Sequence, residues 1–235
     1  MAGSTELLIL FVVIAALFLV PRLQKRLEEG VDEDDLGRKT LERLARQHSV
    51  ERLTQGLPVD ILAAFRGAVR LRIPQYEIHR SDQPGVNAVA LPGGIVILTT
   101  ELLQLVHSGE MSEDELAAVL AHEVAHIELG HSRQAEVRER MTKWALAVPH
   151  AAGGILGRIG TQVGLSAMRK RSSRQAERDA DSWAAGLLAL THYEESALSS
   201  FLRKSAKWSS GGGLWSTHPS PQERIEALEE AASEG

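Results

Sequence analysis

The sequence predicts an α+β fold, mainly α, with a small antiparallel sheet ahead of one long central helix and an apolar helix at the N-terminus. Three observations carry this. Ala and Leu dominate while aromatic residues make up only 4% of the chain, a composition that favours helix. Three short runs rich in Val and Ile between Tyr76 and Thr100 (YEIHRS, VNAVA, GIVILTT) are separated by Gln83-Pro84-Gly85 and Pro92-Gly93-Gly94, which bound strands with turns. Ser112 followed by Glu115 forms a capping box, and Leu116, Val119 and Leu120 then keep helical spacing.

A chain of 235 residues can build one substantial domain plus an appendage, and a core of that size needs no disulfides. It contains no cysteine, so thiolate-ligated metal and a cysteine nucleophile are excluded. A formal net charge of −5, with no basic stripe interleaved with aromatics, argues against nucleic acid as a partner.

In chain order, Leu7 to Val20 is an unbroken apolar run of fourteen residues, about 21 Å as a helix and so short for a bilayer unless its flanks extend it. Glu6 before it and Pro21-Arg22 after it do not suit a cleaved signal peptide, and an uncleaved membrane anchor over 1–22 is the preferred reading. Arg22, Lys25 and Arg26 follow the run and nothing basic precedes it, which favours a single-pass protein with its C-terminal domain in the cytoplasm. Residues 23–36, basic and then acidic (GVDEDD from Gly30), read as a solvated linker to a domain over 37–235. Leu36 to Gln55 reads as an amphipathic helix broken near His48-Ser49, and Val59 to Arg72 as a second helix after Pro58. The strands that follow admit two uses: a structural meander, or a free edge on which an extended substrate pairs its backbone. His79 reads as structural.

The central helix carries HEVAHIELGH from His122 to His131. His122, Glu123 and His126 form HExxH, in which histidines four apart share a helix face and converge on one ion while the glutamate reaches a water beside it. Burying these groups without a ligand would cost about 1–3 kcal/mol for each one left unsatisfied. A third histidine at position 132 would define one zincin subclass, but Ser132 stands there and Leu129 replaces the glycine. His131 reads as a helix-end residue after Gly130 that points away from the site, with a supporting role behind a ligand as the lesser alternative. The alternative third ligand is a later glutamate. Glu177 and Asp181 in RQAERDADSWAAGLLAL are four apart on one face, so Glu177 can bind metal while Asp181 accepts the outer N–H of a ligand histidine; the same spacing also suits an ordinary charged face. Between the motifs, Trp144 to Met168 is apolar but interrupted and too short to cross a bilayer twice. Thr191 to Lys207 continues helical, Ser209 to Gly213 is a loop, and a final helix runs from Pro221 to Ala232.

Four ordered pieces, NAVALPGGIVILTTELL, HEVAHIELGH, SRQAERDADSWA and STHPSPQERI, resemble the HtpX-like and CAAX-prenyl-endopeptidase group of membrane-associated zinc metallopeptidases. The resemblance covers roughly Tyr76 to Leu228 and is closest to single-anchor members with one globular, zincin-like catalytic domain. It implies one Zn²⁺ per chain held by His122, His126 and Glu177, with Glu123 as general base and Asp181 behind a ligand histidine. It also implies that Asn87, Ala88, Val89 and Ala90 form a substrate-pairing edge strand and that His218 and Arg224 lie near the reacting carbonyl. The expected activity is endoproteolysis of polypeptides, misfolded or membrane-associated, in protein quality control. A membrane-anchored chaperone or adaptor that cleaves little, and a hydrolase of non-peptide bonds, are the competing readings. Oligomeric state is not readable from the sequence.

Overall fold

The computed structural model describes residues 22, 30–135, 137, 174–208, 218, 221, 222, 224–226 and 228. The elements in order are α1 (Glu33–Ala45), β1 (Val50–Leu53), α2 (Leu57–Ala68), β2 (Glu77–Ser81), β3 (Ala88–Leu91), β4 (Ile95–Thr99), α3 (Thr100–His107) and α4 (Glu113–Glu128). Helical stretches follow at 131–135 (α5) and 174–189 (α6), then α7 (Ala197–Ser205), a 3₁₀ turn (Ala206–Trp208) and helical residues among 221–228. The expected anchor run, the segment Trp144 to Met168 and the loop Ser209 to Gly213 lie outside the described residues. Among the described residues no helix is long and apolar enough to cross a membrane.

The sheet has four strands in the order β1-β2-β4-β3, and it is mixed rather than antiparallel. β3 and β4 form the hairpin that the Pro92-Gly93-Gly94 turn suggests, but β2 lies parallel to β4 on its other side. The physical reason is burial. Every residue of β4, Ile95 to Thr99, is buried, and a continuous apolar run is stable only where both faces and both edges are covered. β1 also corrects the expected helix over 36–55: VERL pairs antiparallel with β2, half exposed, at the outer edge.

The acidic stretch expected as a linker is the capped start of a helix. The Asp32 carboxylate accepts the N–H groups of Asp34 and Asp35 at 3.0 and 3.1 Å, and three acidic residues complement the positive end of α1. Leu41 and Leu44 of α1 pack on Leu91, Ile95 and Ile97, closing one face of the sheet. At Gly37 the helix comes so near the β3–β4 turn that an added Cβ would lie 2.0 Å from the Pro92 carbonyl oxygen.

The opposite face carries the main core, through which α4 runs. Every residue of α4 from Glu115 to Ile127 is buried, so the helix is a core element rather than a half-exposed one. Its start is held by the expected capping box: Ser112 N–H donates to Glu115 at 2.9 Å and Glu115 N–H donates to Ser112 Oγ at 3.2 Å. The Glu115 carboxylate also accepts from Ser200 Oγ at 2.6 Å and Lys204 Nζ at 2.9 Å, tying the cap to α7. At the other end the Arg72 guanidinium donates to the carbonyls of Ile127 at 2.6 Å and Glu128 at 3.2 Å, satisfying acceptors that a helix leaves open. Glu33 of α1 pairs with Arg72 at 3.1 and 3.2 Å and with Arg133 at 2.9 Å. Both ends of α4 are thus fixed to distant parts of the chain.

Candidate active site

Because α4 is held at both ends, the side chains of its middle turns are placed with little freedom. His122 and His126 face one point, with Nε2 to Nε2 at 3.0 Å and rings nearly perpendicular at 83°. From α6, Glu177 brings one carboxylate oxygen to 3.4 Å from His122 Nε2 and the other to 3.5 Å from His126 Nε2. His218 completes the cluster, its Nδ1 2.8 Å from Glu177 and its Nε2 3.6 Å from Glu123. One donor atom from each of His122, His126, Glu177 and His218 lies within 4.8 Å of all the others.

These spacings suit a small cation. Ligand atoms on a tetrahedral ion with bonds of about 2.0–2.1 Å stand roughly 3.4 Å apart, and the observed separations among His122, His126 and Glu177 lie close to that. The donor set is imidazole and carboxylate, which suits zinc. The residues therefore fit the metal that the sequence suggests.

Asp181, one turn after Glu177, sits 2.8 Å from His122 Nδ1. Arg224 grips the same carboxylate with two hydrogen bonds, from Nε at 2.9 Å and Nη2 at 2.6 Å, and its Nη2 is 3.2 Å from His122 Nδ1. His122 Nδ1 can give its proton to Asp181 or accept one from Arg224, not both. The shorter contact to a carboxylate decides for Asp181, which leaves the His122 Nε2 lone pair facing the cluster. Arg224, expected near a reacting carbonyl, is buried and bound through Nε and Nη2 to Asp181, while its Nη1 lies 3.6 Å from Glu177.

The electrostatics divide the group. Burial opposes ionisation of Glu177, yet the adjoining His122 and His218 rings win and hold its carboxyl well below the usual range. Asp181 behaves alike: burial opposes its charge, while the His122 hydrogen bond and the Arg224 charge lower its pKa. Glu123 goes the other way. Its burial raises the carboxyl pKa against the pull of His218 and His122, the direction suited to a base that must hold and release a proton. Burial and the neighbouring His122 push His126 far down, so its imidazole is neutral and its lone pair free to bind.

A cleft of about 240 Å³ opens onto the cluster, bordered by Val89, Ala90, Glu123, His126, Ala135, Ala176 and Glu177. Of the four expected edge-strand residues, two reach it. Ala88 is fully buried. Asn87 uses its backbone on Thr99, donating to Oγ1 at 2.9 Å and accepting from N–H at 3.0 Å. Since Asn87 and Thr99 are a hydrogen-bonded pair, alternation turns the Ala90 N–H and C=O away from β4 toward the open edge. There Ser132 Oγ donates to the Ala90 carbonyl at 3.1 Å.

Two residues of the cleft stand closer to the site than the preferred reading of the sequence puts them. His131, expected to point away, lies with Nδ1 3.1 Å from His126 Nδ1, and Ser132 reaches the edge strand. The sequence signal is Gly130, which marks the helix end and, with a φ of +71°, also turns the chain back toward His126. His79 is buried with Nε2 3.1 Å from Glu77, in keeping with a structural role.

Two histidines and a glutamate converging on one point, with a second glutamate beside them, make up the donor set of a catalytic metal centre. The chain belongs to peptidase family M48, whose sequence model matches residues 52–232. It is 25% identical over 154 residues to metalloprotease LoiP of Escherichia coli, covering 63% of this chain and 59% of the relative. It is 29% identical over 160 residues to the mitochondrial metalloendopeptidase OMA1 of Schizosaccharomyces pombe, with coverages of 66% and 46%. Against the beta-barrel assembly-enhancing protease of Yersinia pestis it is 29% identical over 178 residues, with coverages of 70% and 35%. The chain thus spans about a third to three fifths of the length of these relatives.

Proposed function

We propose that this chain is a zinc-dependent endopeptidase acting on polypeptides. The observation that carries the reading is the convergence of His122, His126 and Glu177 donor atoms at ligand spacing with Glu123 adjoining them in the same cleft. His122, His126 and Glu177 hold the ion, and Asp181 with Arg224 keeps His122 in the tautomer that binds it. When bound, zinc polarises a peptide carbonyl and makes water acidic enough to attack it near neutral pH. Glu123 takes the proton of the attacking water and returns it to the leaving amine. His218, on the Glu123 side of the cluster, donates to the developing oxyanion, a role its distance from Glu123 supports, while Arg224 acts mainly through Asp181. An extended substrate pairs with β3 at Ala90 rather than along Asn87 to Ala90.

The names of the relatives support protein substrates, and we extend this to misfolded or membrane-associated proteins in quality control. The apolar run Leu7 to Val20 supports a membrane anchor, and the basic residues after it support a cytoplasmic catalytic domain. The four motifs support a finer placement beside the HtpX-like and CAAX-prenyl-endopeptidase members. The test is cleavage of casein by purified protein against Glu123→Gln. A loss of about 10²- to 10⁴-fold is expected from removing a general base. Equal cleavage by the two proteins would reject the mechanism, and client binding without cleavage by either would favour a chaperone.

A further inference from the structure

The two histidines on α4 are supported differently. His122 Nδ1 faces Asp181, whereas His126 Nδ1 faces a third imidazole, His131 Nδ1, at 3.1 Å, with ring centroids 5.1 Å apart at 67°. The contact depends on Gly130. Its left-handed φ of +71° ends α4 and redirects the chain, which lays a ring five positions beyond His126 against it.

Hydrogen-bond accounting fixes the protons. His126 Nε2 points into the donor cluster, 3.0 Å from His122 Nε2 and 3.5 Å from Glu177. To offer a lone pair there, the neutral ring must carry its proton on Nδ1, and that N–H needs an acceptor. Among the described residues, His131 Nδ1 is in reach at 3.1 Å, and it accepts only if the His131 proton sits on Nε2. Two rings are therefore set in series by one contact. We propose that His131 is a positioning residue for the metal site, selecting the Nε2-binding tautomer of His126 and fixing the angle of its ring. It does for His126 what Asp181 does for His122, without adding a negative charge to a site that already holds Glu123, Glu177 and Asp181. The proposal rests on the reading of His122, His126 and Glu177 as metal ligands.

The test measures zinc affinity of the full chain by competition with a chromophoric chelator, alongside thermal unfolding of the zinc-free proteins. His131→Phe keeps a ring but has no acceptor; His131→Asn places an amide oxygen near the position of Nδ1. Loss of such outer support lowers metal affinity by about 10- to 100-fold, the fall expected for Phe, and Asn should recover most of it. If the Phe variant does not fold, His131→Ala against His131→Asn makes the same comparison. Wild-type zinc affinity in the variant without an acceptor, or an Asn variant as weak as it, would overturn the proposal. Failure of the wild-type chain itself to take up zinc would overturn the ligand assignment as well, and so separates the two.

Discussion

Replacing Asp181 with Asn tests the buried network behind the site. The side chain keeps its shape and one acceptor oxygen, so His122 Nδ1 at 2.8 Å can still be served. Arg224 cannot. It loses a carboxylate bound at 2.6 and 2.9 Å and remains 6% exposed, its charge then faced by Glu177 at 3.6 Å and, less directly, by Glu123. Removing one partner of a buried pair costs about 3–5 kcal/mol, because the other charge is left uncompensated. With a urea slope of about 2 kcal/mol per molar, that moves the midpoint of the zinc-free protein down by about 1.5–2.5 M. Urea unfolding followed by circular dichroism measures it. The double variant Asp181→Asn/Arg224→Met should regain much of the loss, since the orphaned charge is gone. A midpoint unmoved by Asp181→Asn at unchanged slope, or a double variant no better than the single one, would refute this account.

Two further outcomes follow, one from the cap of α4 and one from the cleft. The pKa of Glu115 is lowered: burial raises it, but hydrogen bonds from Lys204, Ser200 and the Ser112 N–H outweigh that. A carboxyl whose folded pKa lies below its unfolded value of about 4.3 stabilises the protein above that value, and the contribution is lost as pH falls through the folded pKa. Stability curves of wild type and Glu115→Gln should therefore lie apart at neutral pH and converge in acid; parallel curves would rule this out. Ser132→Ala should lower KM for an extended peptide by about two- to tenfold, with a smaller change in kcat, because the hydroxyl no longer competes for the Ala90 carbonyl. An unchanged or higher KM would mean that the serine braces the edge instead of occupying it.

What could be read in the sequence was local. Ser112 and Glu115 announced the start of α4, HExxH its chemistry, and the Val/Ile runs three strands, because each signal lies within one element. The pairing of those strands was not local. Proximity in sequence suggested a meander, whereas the full burial of Ile95 to Thr99 requires neighbours on both sides and brings β2 beside β4. GVDEDD looks like a linker because charge density is its visible feature; the N-cap on Asp32 is local, whereas the packing of Leu41 and Leu44 that holds the helix depends on a sheet face far along the chain. Family likeness points to Arg224 as a site residue, but its pairing with Asp181, 43 residues away, is visible only in the structure. His131 was misplaced because a helix end was treated as the end of the site.

Glu33 has a bearing on where the working unit begins. The family match starts at residue 52, which would leave all of α1 outside the domain. Yet Glu33 closes the clamp on the carbonyl end of α4 through Arg72 and reaches Arg133, next to the two residues that touch His126 and Ala90. A fragment cut at the family boundary would strip one sheet face of its cover and leave two arginines without their shared carboxylate. α1 thus braces, from outside the family boundary, the helix that carries the candidate site, and its removal should loosen the cleft from behind.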